Sequence, residues 1–178
     1  MRFLFLAGLV LLAACGGDQA AKLNLGDPAP AFRTQRLDGS AVDFPAAAAG
    51  RPLVIRFWAD WCKYCEPEMK AIEAVYQRHK AKGLEVFAVN AGQDKPTVAA
   101  FIKKLGVTYP VLLDEQSAIA RRYGVVGLPT TYFVDARGVV RDKVIGEVDE
   151  AIFERHALEL LKCATRIAPA TSAACRWG

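Results

Sequence analysis

Two cysteines separated by two residues sit where an apolar run gives way to a helical pattern, and no other feature of the chain restricts its fold as much. Leu53-Val54-Ile55-Arg56-Phe57-Trp58-Ala59 follows Pro52 and is apolar except at Arg56, the pattern of a strand covered on both faces. Beyond Cys62, the apolar residues Met69, Ile72, Val75 and Tyr76 recur at spacings of three and four, which predicts a helix over 62–82 that Gly83 ends. Residues 84–90 form a second apolar run. The order strand, helix, strand then implies a parallel pair with a right-handed crossover.

The rest of the chain extends this unit. Residues 26–32 are rich in Gly and Pro, and 33–44 alternate about Asp38-Gly39, which predicts a hairpin. A helix is expected over 97–105 with Gly106 at its end, a strand over 110–114, and a short helix over 117–123. Strands over 130–134 and 139–144 flank the turn Asp135-Ala136-Arg137-Gly138, and a last amphipathic helix covers 149–161. The fold class is α/β: a mixed sheet flanked by helices, with an N-terminal hairpin extension. A chain of 178 residues can bury enough surface to fold as one domain without disulfides. From Ala164 onward it is Ala, Thr, Pro and Ser, with little reason to fold alone.

The first residues belong to a different plan. Arg2 precedes twelve uncharged residues, Phe3 to Ala14, and the run closes on Leu12-Ala13-Ala14-Cys15-Gly16-Gly17. Such a segment is too short to cross a hydrocarbon layer of roughly 30 Å comfortably, so it reads as a cleaved signal. Its end resembles the bacterial lipoprotein processing box, in which the cysteine becomes the lipidated first residue. The expected organisation is therefore a signal peptide over 1–14, lipidated Cys15 with a tether over 15–25, a folded domain over 26–162 and a tail over 163–178. An ordinary secretory signal with a chance cysteine is the alternative. The formal net charge of +4 is spread over short pairs such as Lys103-Lys104 and Arg121-Arg122, so nucleic acid is not an expected partner.

Cys62 and Cys65 carry the chemistry. Thiols at i and i+3 beside a helix start can reach disulfide geometry, and the unpaired N–H groups there stabilise a thiolate. Cys62 is then the attacking sulfur and Cys65 the resolving one. A structural disulfide or half of a metal site is the competing reading, but His79 and His156 stand at no ligand spacing from the cysteines. No metal and no cofactor are expected. Glu68, three residues beyond Cys65, lies one turn on along nearly the same face. If burial raises its pKa, it can take the Cys65 proton; the alternative is a solvated carboxylate. Trp61 and Tyr64 form an aromatic rim that either docks partners or packs on neighbouring loops. Lys63 adds positive charge beside Cys62. Pro129 enters the strand over 130–134, and if its peptide bond were cis it would present the backbone of Leu128 and Thr130 beside the cysteines. Cys163 and Cys175 can close a structural disulfide.

The stretches FWADWCKYC (57–65), Glu68-Met69, AVNAG (88–92) and YGVVGLPTTYFVDARGVV (123–140) together resemble the thioredoxin-fold family of TlpA, ResA and the cytochrome c maturation thioredoxins. The resemblance spans residues 26–161. It implies a membrane-tethered or periplasmic thiol:disulfide oxidoreductase in the cell envelope, acting as a monomer on protein disulfides. Reduction of apocytochrome c and recharging by a membrane reductant of the DsbD or CcdA type are implied as well. So are a cis Pro129 facing the cysteines and a catalytic role for Glu68. Two positions depart from the pattern: Arg56 stands where the family keeps an acid or asparagine, and Lys70 where it tends to have proline, while Pro67 lies nearby. An oxidase or isomerase of secreted proteins is the main alternative, and a thioredoxin-fold metal-binding module a further one. A thiol peroxidase is not expected, because nothing before Cys62 supplies the threonine and proline that such peroxidases use to orient peroxide.

Overall fold

Strand β3 (Leu53–Trp58) lies at the centre of a five-stranded sheet in the computed structural model, which describes residues 23–165. Its neighbours explain its composition. β4 (Glu85–Ala91) pairs with it in parallel and β6 (Thr130–Val134) pairs antiparallel on the other side, so every residue of β3 is buried. β5 (Val111–Asp114) adds to β4 in parallel and β7 (Val140–Ile145) to β6 antiparallel, giving the order β5-β4-β3-β6-β7. The N-terminal hairpin of β1 (Phe32–Gln35) and β2 (Ala41–Phe44) forms a separate two-stranded sheet.

Alternation along β3 divides the core in two. Val54 and Trp58 face α1 (Cys65–His79), α2 (Lys95–Leu105) and α4 (Glu150–Thr165). Leu53, Ile55 and Phe57 face the hairpin residues Phe32, Val42 and Phe44, and α3 (Ala118–Arg122) with Tyr123. Arg56 has the parity of Val54 and Trp58. It therefore points into the α1 side.

Both edges of the sheet are guarded. At β5, Arg36 bridges Leu112 and the Thr34 hydroxyl donates to the Leu113 carbonyl; at β7, Gly26 N–H donates to Val140 O and Ala29 N–H to Gly138 O. The hairpin and turn-rich entrance thus do more than precede the domain: they satisfy edge groups that would otherwise be open to another chain.

Helix boundaries differ most from the sequence expectation at the start of α1 and the end of α4. α1 begins at Cys65, three residues later than expected, with Tyr64 as its N-cap. Pro67 then occupies the third helical position, where an N–H would have no partner in the helix anyway, so the proline is accommodated without a kink. α4 continues to Thr165 because Leu160, Leu161 and Cys163 remain on its buried face. The expected signal segment, Cys15 and Cys175 lie outside the described residues.

The β6–β7 turn is organised by Asp135. Its buried carboxylate accepts from Arg137 N–H (2.9 Å), Val139 N–H (3.0 Å) and Arg141 Nε (2.8 Å). Asp135→Ala leaves these donors without an acceptor and is expected to lower the unfolding free energy by about 2–3 kcal/mol. Urea titration measures this, and an unchanged midpoint would show that the turn holds itself.

Candidate active site

Cys62 and Cys65 are joined by a disulfide with Cα atoms 5.3 Å apart, in the loop that carries β3 into α1. Sequence dictates this turn. Cys62 N–H donates to Ala59 O at 3.2 Å and Cys65 N–H to Cys62 O at 3.0 Å, so the backbone tightens just before the first helical residue. Cys65 is fully buried and Cys62 nearly so, and both belong to the core cluster on the α1 side. The first turn of α1 points its free amide groups toward this loop.

A polar brace holds the loop from the β4 side. Gln93 Oε1 accepts from Asp60 N–H and from Asn90 Nδ2, each at 2.9 Å, and Gln93 Nε2 donates to the Asp60 carboxylate. No pattern in the sequence marked Gln93, because it acts across loops that come together only in the fold. Gln93→Ala should speed hydrogen exchange at the Asp60 amide by roughly tenfold. Two-dimensional NMR reads this directly, and an unchanged rate would remove Gln93 from the brace.

Pro129 stands at the same end of the sheet. The register Phe57↔Thr130 sets it level with the end of β3, and the Leu128–Pro129 peptide is cis. Leu128 is half-buried and packs on both cores, so its side chain is committed and its backbone is what it offers. A second cis bond, Phe44–Pro45, was not foreseen.

Large apolar side chains are exposed in the cysteine loop and in the connection before Pro129. Trp61 is 69% exposed, Tyr64 44% and Val126 87%. Trp61 and Tyr64 flank Cys62 and Cys65 in the chain, and Val126 stands three residues before Pro129. Val126 escaped the sequence reading because Gly124-Val125-Val126-Gly127 reads as a plain connection. The Lys63 ammonium lies 5.2 Å from the Tyr64 ring centroid, a cation–π distance that keeps its charge close to the cysteine loop.

Glu68 is buried, not solvated. Its Oε1 accepts from Arg56 Nη1 at 2.7 Å and from Val148 N–H at 3.1 Å, and its Oε2 lies 2.5 Å from Arg56 Nη2. Burial pushes the carboxyl above its ordinary pKa, while Arg56 and the Val148 amide oppose the rise. Arg56 also donates to Thr131 Oγ1 at 2.8 Å. The partner that a charge in β3 requires is thus Glu68. The signal was present in the sequence: Arg56 shares parity with Val54 and Trp58, and Glu68 stands four before Ile72 on the apolar face of α1. Lys70, by contrast, is exposed and pairs with Glu66. Among the described residues, no group of three or more His, Cys, Asp or Glu side chains is placed to hold a metal ion.

Comparison with known proteins agrees with this geometry. The AhpC/TSA family matches residues 25–143, two thirds of the chain. The thiol-disulfide oxidoreductase ResA of Geobacillus kaustophilus is 34% identical over 86% of this chain and 91% of its own length. ResA of Bacillus subtilis is 31% identical over 79% and 77%. Among solved structures, a thiol:disulfide interchange protein of the thioredoxin family from Chlorobium tepidum superposes with a TM-score of 0.70 at 26% identity, covering 78% of this chain and 98% of that one. DsbF of MTB, determined in mixed oxidised and reduced forms, gives 0.67 at 28% identity, covering 72% and 94%. The chain belongs to the AhpC/TSA family, as a thioredoxin-fold thiol-disulfide oxidoreductase of the ResA type.

Proposed function

We propose that this enzyme works as a reductase of protein disulfides in the cell envelope, tethered there by lipid on Cys15. The observation that carries the reading is the buried Cys62–Cys65 pair at the entrance of α1, with exposed Trp61 and Tyr64 as an aromatic rim in the same loop. A partner polypeptide can seat an apolar segment on that rim and bring its own disulfide to Cys62.

In the reduced enzyme, the Cys62 thiolate attacks one sulfur of the substrate disulfide. A mixed disulfide forms and the other substrate sulfur leaves as a thiolate. Cys65 then passes its proton to Glu68 and attacks the Cys62 sulfur, which closes the Cys62–Cys65 bond and releases the second substrate thiolate. Two electrons have moved to the substrate. The oxidised enzyme needs a reductant on the same side of the membrane, and a carrier of the DsbD or CcdA type has the matching chemistry. Apocytochrome c, with two cysteines that must be reduced before haem attachment, is the client class we favour. Residues 26–162 would carry this activity, with 15–25 as the tether. No helix among the described residues is long and apolar enough to cross a membrane.

One observation favours a second reading. The Lys63 charge beside the loop stabilises the Cys62 thiolate and so the reduced state, which is the direction that makes an oxidant. The equilibrium potential of the Cys62/Cys65 couple separates the two. A reductase is expected near the roughly −270 mV of thioredoxin, and a value near roughly −120 mV would assign an oxidase instead. Cys65→Ala should accumulate mixed disulfides with clients in the envelope. Glu68→Gln is expected to slow resolution and remove its dependence on a carboxyl titration; an unchanged pH profile would take Glu68 out of the reaction. Cys15→Ser should release the protein from the membrane fraction.

A further inference from the structure

Burying a charge in the central strand is costly unless something is gained near it. Arg56 is 1% exposed, and its guanidinium meets both carboxylate oxygens of Glu68. Glu68 in turn sits one helical turn from Cys65, and both side chains lie inside the same packed layer. We propose that Arg56 is a positioning residue for the resolving step: it is the fixed counter-ion that lets negative charge move between Glu68 and Cys65 without leaving the buried region unbalanced. This inference rests on the reading of Glu68 as the proton acceptor for Cys65.

The electrostatic argument follows the charges. Before resolution, Arg56 is cationic and Glu68 anionic, so the pair is neutral. When the Cys65 thiol gives its proton to Glu68, the anion becomes the Cys65 sulfur, and the guanidinium again faces one negative charge. An asparagine in place of Arg56 would leave a lone anion in a low-dielectric setting at both stages. Once the Cys65 sulfur has bonded to the Cys62 sulfur and the substrate sulfur has left with the electron pair, Arg56 faces a neutral carboxylic acid. Its uncompensated charge then drives Glu68 to release the proton, which returns the site to its starting state. Arg56 remains protonated throughout, because arginine holds its proton even when burial lowers its pKa.

Geometry fixes the arrangement on each side. Thr131 on β6 accepts from the same Nη1 that binds Glu68, and the Val148 amide before α4 donates to Glu68 Oε1. The other charged or titratable groups acting on the pair are Tyr109, whose hydroxyl donates to Met69 O at 3.1 Å, and Glu147. Tyr109 stays neutral because burial raises its pKa further, and Glu147 opposes the charge of Glu68. Arg56 is therefore the one buried cation acting on Glu68 among the described residues.

Ellman's reagent separates the two chemical steps. With reduced protein, the first thionitrobenzoate released reports attack by Cys62 and the second reports resolution by Cys65. Removing the cation makes the carboxylate harder to form, so higher pH is needed. Arg56→Met should raise the pH midpoint of the second phase by about one unit, a slowing of about tenfold on its acid side, with the first phase little changed. Arg56→Lys, which restores charge without the paired contact, should recover most of the shift. Carbon-13 NMR of glutamate-labelled protein, assigned with Glu68→Gln, follows the carboxyl itself. Parallel upward shifts of the carboxyl and of the second phase support the proposal. An unmoved Glu68 midpoint overturns it. A Glu68 midpoint that rises while the second phase stays put also overturns it, and in that case the fault lies with Glu68 as proton acceptor. If thermal unfolding shows Arg56→Met to be unfolded, Arg56→Gln, which keeps a donor for Thr131, carries the same comparison.

Discussion

A strand buried on both faces leaves a charged side chain nowhere to go, and the ion pair of Arg56 with Glu68 is the consequence on which the site depends. Strand alternation sends Arg56 to the α1 side, so its partner has to come from that helix. Glu68 answers from the first turn, and the contact pins the start of α1 onto the centre of the sheet. Breaking one member of such a pair costs about 3–5 kcal/mol, because the other is left buried and uncompensated. The pairing is also incomplete, since Arg56 Nε finds no acceptor among the described residues. A polar contact of this kind contributes less to stability than to position, and what it positions is the turn that carries Cys65.

Much of the fold is legible in the sequence alone. Periodicity separated the buried runs 53–59 and 84–90 from the amphipathic segment between them, and Asp38-Gly39 and Asp135-Ala136-Arg137-Gly138 marked both hairpins. Ends were harder. The α1 start was misplaced by three residues because the pattern of apolar positions cannot tell a tight turn from a helical one, and Cys62 and Cys65 suit both. Cys163 looked like the edge of a tail, yet it lies on the buried face of α4. A helix end is decided by what the neighbouring layer still covers, which a local pattern does not record.

The site followed the same rule. The cysteines announce themselves by residue type and spacing and Glu68 by its place one turn beyond Cys65, whereas the cis bond at Pro129 is implied only by the family resemblance. Gln93 does not announce itself, because it acts from a loop remote in sequence whose place is set by the register of β3 with β4. The resulting arrangement is simple: sheet and helix hold two sulfurs and one carboxylate in the interior, while the connecting loops carry the exposed Trp61 and Tyr64. Rigid elements fix the reacting atoms and exposed loops decide access.

The central claim is that Cys62 is held as an anion by the entrance to α1. Its direct measure is the rate of iodoacetamide labelling at Cys62 in the reduced protein as pH is varied, with modified sites read by mass spectrometry. The account predicts a midpoint well below the roughly 8.5 of a free thiol, with Cys65 unlabelled at neutral pH. A midpoint at that unperturbed value, or equal labelling of both sulfurs, would contradict it.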